Sequence, residues 1–172
     1  MKKLSLTLSR LIIIILLSIS YSYSSENIIK GNAIIVDGDT IKIKGQQIRF
    51  GGIDAPESYY RGKKQTCIED SKNVFCGQIS KEKLIEKIGN NFLICNIEIN
   101  KDKYKRFVGE CFIKEESLSF FMVRNGYAFD WPRYSNGKFA KAEEYAKKNK
   151  LGFWNMKFEY PWMWRAKVRE NK

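Results

Sequence analysis

The sequence has no histidine among its 172 residues, and this absence removes several kinds of catalysis at once. A Ser-His-Asp triad and a Cys-His pair both need an imidazole, so neither can operate in this chain. Zinc hydrolases with histidine ligands are excluded for the same reason. Acid–base chemistry is therefore left to carboxylates, lysine, tyrosine or water held by a metal ion.

A CxxC spacing is also missing, although the chain has four cysteines. Without that spacing and without histidine, a zinc site is the weaker interpretation of these residues. An even number of cysteines in an exported protein is typical of disulfides. Of the three pairings that four cysteines allow, we expect Cys67–Cys76, which closes a short loop, and Cys95–Cys111, which joins two strands predicted to be neighbours.

Export itself is predicted from the N-terminal residues, which have the layout of a secretory signal peptide. Two lysines and an arginine precede the apolar run Leu11–Leu17, and small residues follow it. We predict a signal peptide over residues 1–24, with cleavage after Ser22 or Ser24, and one domain over 25–172. An uncleaved anchor is the alternative, although the run is short for a membrane span. The mature protein would then be periplasmic or secreted.

Acidic residues are scarce, with 19 Asp and Glu against 31 Lys and Arg. Removal of the predicted signal peptide takes away three basic residues, so 28 remain and the excess is nine positive charges. Such an excess favours a polyanionic partner. Nucleic acid is the first candidate, and an anionic membrane surface or a cell-wall polymer is the second.

Periodicity in the first third of the domain predicts a three-stranded meander. Residues 31–36, Thr40–Lys44 and Gln47–Ile53 have strand character, and Asp37-Gly38 and Gly45-Gln46 are turn signals between them. A polar stretch, Ala55–Cys76, then predicts a long surface loop.

The remaining segments predict helices around two further strands. NFLICNIEI and RFVGECFI are strands on either side of a polar turn, and the predicted helices are GQISKEKLIEKIG, Leu118–Arg124 and Phe139–Lys150. In the first helix we expect Leu84, Ile85 and Ile88 to share the buried face. This order of elements favours an α+β, mainly β, fold: a five-stranded OB-fold barrel with about three helices. Barrels of this type often bind oligonucleotides in a groove.

Four charged residues stand close together in VDGDTIKIKGQQIRFGGIDAPES: Asp39, Arg49, Asp54 and Glu57. If the first three strands pair consecutively, Asp39 and Asp54 converge on one rim of the barrel, where paired carboxylates suit Ca²⁺ or Mg²⁺. Each acid alone could equally serve a turn. Arg49 could bind a phosphate or form a salt bridge. Glu57 could act as a base on water, and Arg106, in the later turn, could supply a second guanidinium.

These segments together resemble the staphylococcal nuclease family. The resemblance rests on VDGDTIKIKGQQIRFGGIDAPE, DKYKRFVGEC and NGYAFDWPRYSNGKFAKAEEYAKKNKLGFW, and it covers about residues 30–155. It implies an OB-fold nuclease that hydrolyses DNA and RNA with one Ca²⁺ ion.

The same resemblance implies a role for each site residue. Calcium would be bound by the carboxylates of Asp39 and Asp54 and by the main-chain carbonyl of Ala55. The scissile phosphate would be bound by Arg49 and Arg106, and Glu57 would activate or orient the attacking water. A terminal phosphate and the adjoining nucleotide would lie beside Lys103 and Tyr104.

Lys105 and the segment around Trp131 depart from the family pattern, as do the four cysteines, and the tail lies beyond the resemblance. Lys105 stands where glycine usually precedes the second arginine, and a lysine with positive φ there would cost about 1 kcal/mol and could re-aim Arg106. Trp131 and Tyr134 could be platforms for stacked bases or could pack at a helix end. The tail with Trp162 and Trp164 is expected to dock onto the barrel, with a nucleic-acid or membrane surface as the alternative.

We therefore expect a calcium-dependent endonuclease that acts on DNA and RNA with little sequence specificity, because its contacts are to the phosphate backbone. The expected state is a monomer with no stable protein partner and at most a weak association with the cell envelope. The alternative function is a non-catalytic OB-fold module that binds nucleic acid or another polyanion at the cell envelope.

Overall fold

The computed structural model of the protein describes residues 27–170, and the predicted signal peptide over 1–24 lies outside these residues. Strands form most of the regular structure in the first two thirds, and helices dominate the last third. The strands are β1 (Ile28–Gly31), β2 (Ala33–Asp37), β3 (Thr40–Ile43), β4 (Gln46–Phe50), β5 (Ile53–Asp54), β6 (Cys67–Glu69), β7 (Lys72–Val74), β8 (Leu93–Ile97), β9 (Phe107–Ile113), β10 (Glu116–Ser117) and β11 (Phe129–Asp130). The helices are α1 (Cys76–Ile88), α2 (Leu118–Arg124), α3 (Pro132–Ser135), α4 (Ala140–Lys148) and α5 (Pro161–Glu170), with a 3-10 helix at Gly152–Asn155.

The main sheet has the strand order β1-β8-β9-β4-β3-β2, and β10 pairs with β9 at one side. The predicted meander of β2, β3 and β4 is confirmed, and β4 pairs in parallel with β9, whereas the other ladders are antiparallel. Within residues 27–170 no ladder joins β1 to β2, so the sheet is not closed. The α+β, mainly β, class is thus confirmed, and the barrel is more open than predicted.

The core lies on one face of this sheet and follows from the period of the strands. Ile41 and Ile43 on β3 alternate with exposed Lys42, and Ile48 and Phe50 on β4 alternate with half-buried Arg49. Because side chains two apart point to the same face of a strand, these four apolar residues bury together. The charged residues between them are directed to the other face.

The three predicted helices are present, and two further helices, α3 and α5, were missed. In α1 the prediction is correct for Leu84 and Ile88, which are buried, and wrong for Ile85, which is 44% exposed. Helix α5 begins with Pro161, a residue that suits a first helical turn, but its tryptophans are two residues apart and do not mark a helical face. None of the helices within residues 27–170 has the length and apolar composition that a membrane span requires.

Both predicted disulfides are present. Cys67–Cys76 ties strand β6 to the start of α1, and Cys95–Cys111 joins directly opposite residues of β8 and β9. The stretch Ala55–Cys76, predicted as a loop, also contains the β6–β7 hairpin. This hairpin is held from outside as well, because Ile68 and Lys157 exchange two backbone hydrogen bonds.

A second cluster of aromatic residues docks the C-terminal segment onto the domain. The Phe129 ring lies 4.7 Å from that of Phe158 and 5.0 Å from that of Tyr160, and buried Phe153 packs beside it. Phe129 is in β11, which pairs with β5 at the register Phe129 to Asp54. The expected docking of the tail is therefore confirmed, and it brings α5 close to the rim of the sheet where Asp39 and Asp54 lie.

Candidate active site

The backbone brings Asp39 and Asp54 together, as the meander predicts. Thr40, next to Asp39, pairs with Arg49 across β3 and β4, and the amide of Phe50 donates to the carbonyl of Asp39 at 2.8 Å. One carboxylate oxygen of Asp39 accepts from the amide of Ala55 at 2.9 Å. The other accepts from the Thr40 hydroxyl at 2.8 Å. Asp39 is thereby fixed against the residue that follows Asp54.

Arg49 lies between the two aspartates. Its Nη1 pairs with Asp39, and its Nη2 donates to Asp54 Oδ1 at 2.6 Å and to the carbonyl of Ile53 at 3.2 Å. The side chain of Arg49 is 14% exposed and that of Asp54 is fully buried. The structure therefore shows the salt-bridge alternative for Arg49, with both candidate metal ligands as its partners.

A second guanidinium enters from α5 and was not predicted for this site. Arg165 Nη1 donates to Asp54 Oδ1 at 3.0 Å and to Glu57 Oε1 at 2.6 Å, and its Nη2 donates to Asp54 Oδ2 at 2.8 Å. Arg165 also lies over the Trp131 ring, 5.5 Å from the centroid. No local pattern points to it, since it is 108 residues from Glu57 and lies in a tail of mixed aromatic and basic residues.

Asp37 is the fourth acid of a cluster that also contains Asp39, Asp54 and Glu57. The sequence alone predicts it only as a turn residue. It accepts from the amide of Gly38 at 2.9 Å, as a turn residue would, and also from the amide of Ser58 at 3.3 Å. Burial raises the pKa of Asp37 to about 7, and the nearby charges of Asp39 and Glu57 act in the same direction. The repeated acid in Asp-Gly-Asp was the only local signal for it.

Electrostatics differ between the other acids of the cluster. Burial acts to raise the pKa of Asp39, but Arg49 and the hydrogen bond from Ala55 outweigh it, so this pKa is lowered. The pKa of Glu57 is raised by burial and by the charge of Asp39, against the opposing effect of Arg165. Asp39 therefore stays ionised over a wide pH range, and Glu57 takes up a proton more readily than an exposed glutamate.

Arg106, the second arginine predicted for the site, binds Asp102 instead of the acids of this cluster. Asp102 accepts at one oxygen from the amides of Tyr104 and Arg106, at 2.9 and 3.0 Å, and at the other from Arg106 Nε at 2.8 Å. Among the described residues, Arg106 forms no hydrogen bond or ion pair with the four acids of the cluster. Lys103 and exposed Tyr104 share the turn with it, and the Arg106 guanidinium lies 5.2 Å from the Tyr104 ring centroid.

Lys105 has φ of 64°, so the condition under which a lysine before Arg106 costs energy is met. We predict that Lys105→Gly raises the free energy of unfolding by about 0.5–1 kcal/mol, because glycine adopts this conformation without steric cost. Denaturant unfolding measures the change. Lys101→Gly is the matched control, since Lys101 lies in the same turn without positive φ and should gain nothing. A loss of stability in Lys105→Gly would contradict the prediction.

Trp131 and Tyr134 differ in their surroundings. Trp131 stacks on Trp162 of α5 with ring centroids 5.9 Å apart and planes 9° apart, and the Tyr134 ring meets it edge-on at 4.5 Å. Packing is therefore the observed state of Trp131. Tyr134 keeps 59% of its surface exposed and can still meet a ligand.

The donor set suits a hard cation by its chemistry. Asp37, Asp39, Asp54 and Glu57 bring four carboxylates to one place, and the two arginines balance only half of their full charge. As the side chains stand within residues 27–170, however, no three acidic, histidine or cysteine residues are placed so that they could hold one metal ion together. Arg49 and Arg165 stand between the carboxylates and occupy oxygens that a cation would use.

Comparisons with known proteins relate the chain to a family of nucleases. A family model described as staphylococcal nuclease homologue matches residues 47–156, which include Arg49, Asp54, Glu57 and Arg106 and end before α5. The match covers more than half of the chain.

Individual relatives have similar identities but very different lengths. The succinoglycan biosynthesis protein ExoI of Rhizobium meliloti (strain 1021) is 30% identical over 134 residues, covering 77% of this chain and 68% of that protein. Endonuclease YhcR of Bacillus subtilis (strain 168) is 31% identical over 150 residues, and the match covers 77% of this chain but only 12% of that protein. The probable staphylococcal-like nuclease CAN4 of Oryza sativa subsp. japonica is 29% identical over 140 residues, covering 77% of this chain and 24% of that protein. The chain belongs to the family of staphylococcal nuclease homologues.

Proposed function

We propose that the protein is an exported endonuclease that hydrolyses phosphodiester bonds in DNA and RNA, depends on one Ca²⁺ ion and has little sequence specificity. The observation that carries the proposal is one hydrogen-bonded cluster, in which Arg49 joins Asp39 to Asp54 and Arg165 joins Asp54 to Glu57. The chain that contains this cluster belongs to the family of staphylococcal nuclease homologues. The two disulfides are consistent with an exported protein.

Each residue has a defined task in this proposal. Asp39, Asp54 and the main-chain carbonyl of Ala55 would hold the ion, and Glu57 would take the proton of the attacking water. When bound, calcium would offset negative charge that develops on the phosphate. Arg49 and Arg106 would bind the phosphate oxygens through their forked donors.

The substrate would extend from this centre along the phosphate backbone. Lys103 and Tyr104 would lie beside a terminal phosphate and the adjoining nucleotide, since both share the turn of Arg106. Contacts of arginine and lysine with phosphate carry no sequence information, so cleavage should be largely independent of sequence. For Arg106 to reach a phosphate, its ion pair with Asp102, whose side chain is 18% exposed, must open.

The alternative is a non-catalytic OB-fold module that binds nucleic acid or another polyanion at the cell envelope. One observation favours it: Arg49 and Arg165 are paired with the acids, as they would be in an ion-pair network that only stabilises the fold. The relative ExoI, moreover, is named for succinoglycan biosynthesis and not for nucleic-acid cleavage. The presence of Glu57 and a second arginine in the family pattern favours the nuclease.

The deciding experiment is degradation of plasmid DNA, single-stranded DNA and RNA by the protein without residues 1–24, with Ca²⁺ and with a calcium chelator. The proposal expects breakdown of all three substrates that stops in the chelator and is not restored by Mg²⁺ alone. Cleavage that survives chelation would refute the calcium requirement. A folded protein that retards nucleic acid in a gel but cleaves nothing with any divalent ion would establish the binding module instead.

A further inference from the structure

Arg165 occupies both carboxylate oxygens of Asp54, a residue that the proposed function gives to a cation. It donates to both carboxylate oxygens of Asp54 and to one of Glu57, at distances between 2.6 and 3.0 Å. The Arg165 side chain is 14% exposed, so solvent screens these contacts poorly. The residue comes from α5, which lies beyond the region that the nuclease family model matches.

The charge of Arg165 is permanent. A guanidinium in this position cannot lose its proton to make room for a metal ion. It must therefore share the carboxylates with the ion, at the cost of repulsion, or move away from them.

The contacts that hold α5 near the site are of moderate extent. Trp162 stacks on Trp131, the Trp164 ring lies 6.2 Å from that of Tyr60, and Lys167 pairs with Glu159 at the surface. The helix has few buried residues, Pro161 and Val168. Attraction between Arg165 and the acids is thus a substantial part of what fixes α5, and a competing cation would weaken it.

We propose that Arg165 is a built-in counter-cation of the site, so that docking of α5 and binding of a divalent cation at Asp54 oppose each other. The inference rests on the proposed function in so far as Asp54 is a ligand of the ion. Because coupling between two sites is reciprocal, a bound cation loosens α5 by the same factor by which α5 weakens cation binding. The C-terminal helix would then set the calcium concentration at which the site fills.

The test is calorimetric titration of Ca²⁺ into the wild-type protein, Arg165→Gln and Arg165→Lys, with Lys167→Gln as the matched control on the same helix. We expect Arg165→Gln to bind Ca²⁺ roughly tenfold or more tightly, in the usual range of such coupling. Arg165→Lys keeps the charge but not the forked donors, so its affinity should be intermediate. Lys167→Gln should bind as the wild type does, because Glu159 is the one acid within residues 27–170 with which Lys167 pairs.

Thermal unfolding separates this role from a merely structural one. Without calcium, Arg165→Gln should unfold at a lower temperature than the wild type, and added Ca²⁺ should raise its Tm by more than it raises the wild-type Tm. A purely structural Arg165 would give the same drop with and without calcium. If Arg165→Gln fails to fold, Arg165→Lys supplies the comparison.

The outcomes distinguish this inference from the proposed function. Unchanged or weaker Ca²⁺ binding in Arg165→Gln would overturn the inference even if the protein degrades DNA. Tighter binding in a protein that cleaves nothing would support the counter-cation role and refute the nuclease. No Ca²⁺ binding by any variant would overturn both.

Discussion

Glu57→Gln is expected to lower the rate of DNA cleavage by about 10²- to 10⁴-fold, the usual contribution of a positioned general base. Glutamine has the shape of glutamate but cannot take a proton from water. Its amide oxygen can still accept from Arg165, so the contact that reaches Glu57 at 2.6 Å keeps an acceptor. The loss should therefore appear in kcat at saturating calcium, with the fold intact by circular dichroism.

A pH profile sharpens this prediction. The base must be ionised, and the pKa of Glu57 is raised by burial and by Asp39. Activity of the wild type should consequently fall as the pH drops through a value above the normal range of glutamate, and Glu57→Gln should lack this acidic limb. Glu86→Gln, at an exposed position of α1 paired with Lys83, is the control and should behave as the wild type. Near-normal cleavage by Glu57→Gln would remove Glu57 from the chemistry.

The rim of acids was predictable because it depends on local pairing. Asp39 lies in the first turn of a meander and Asp54 follows its last strand; the turns are marked by Asp37-Gly38 and Gly45-Gln46, and alternation fixes which side chains face the core. Once β3 and β4 pair in sequence, Asp39 must lie near the end of the next strand. The Cys95–Cys111 bridge was predictable for the same reason, since two strands joined by one turn place such residues opposite each other.

The contribution of α5 was not predictable, because it depends on packing between distant parts of the chain. Arg165 reaches Asp54 across 111 residues, and the pairing of β11 with β5, the aromatic cluster around Phe129 and the Trp131–Trp162 stack bring it there. No periodicity in the tail encodes this contact. The role of Asp37 beyond its turn was unpredictable for a related reason: the burial that raises its pKa, and the charges of Asp39 and Glu57 that add to it, arise only in the folded chain.

Arg49→Met is expected to destabilise the protein by about 3–5 kcal/mol when calcium is chelated. The change leaves the buried carboxylates of Asp39 and Asp54 without their shared partner, and removal of one member of a buried ion pair has an effect of this size. Arg49→Lys should lose less, because the charge remains while the forked donation to two aspartates is lost. Denaturant unfolding in chelator measures both differences.

The same variant separates the two arginines of the proposed mechanism. Arg106 pairs with Asp102, which is less buried than Asp39 and Asp54, so Arg106→Met should destabilise the protein less than Arg49→Met does. Both variants should lose orders of magnitude in cleavage if each guanidinium binds the scissile phosphate, since interactions with the developing charge are the largest catalytic contributions. Calcium should restore part of the stability of Arg49→Met, because a bound cation replaces the missing positive charge and shifts unfolding by mass action. Full activity in Arg106→Met would reduce Arg106 to a turn residue, and a stable, active Arg49→Met would refute the central position that the structure gives to Arg49.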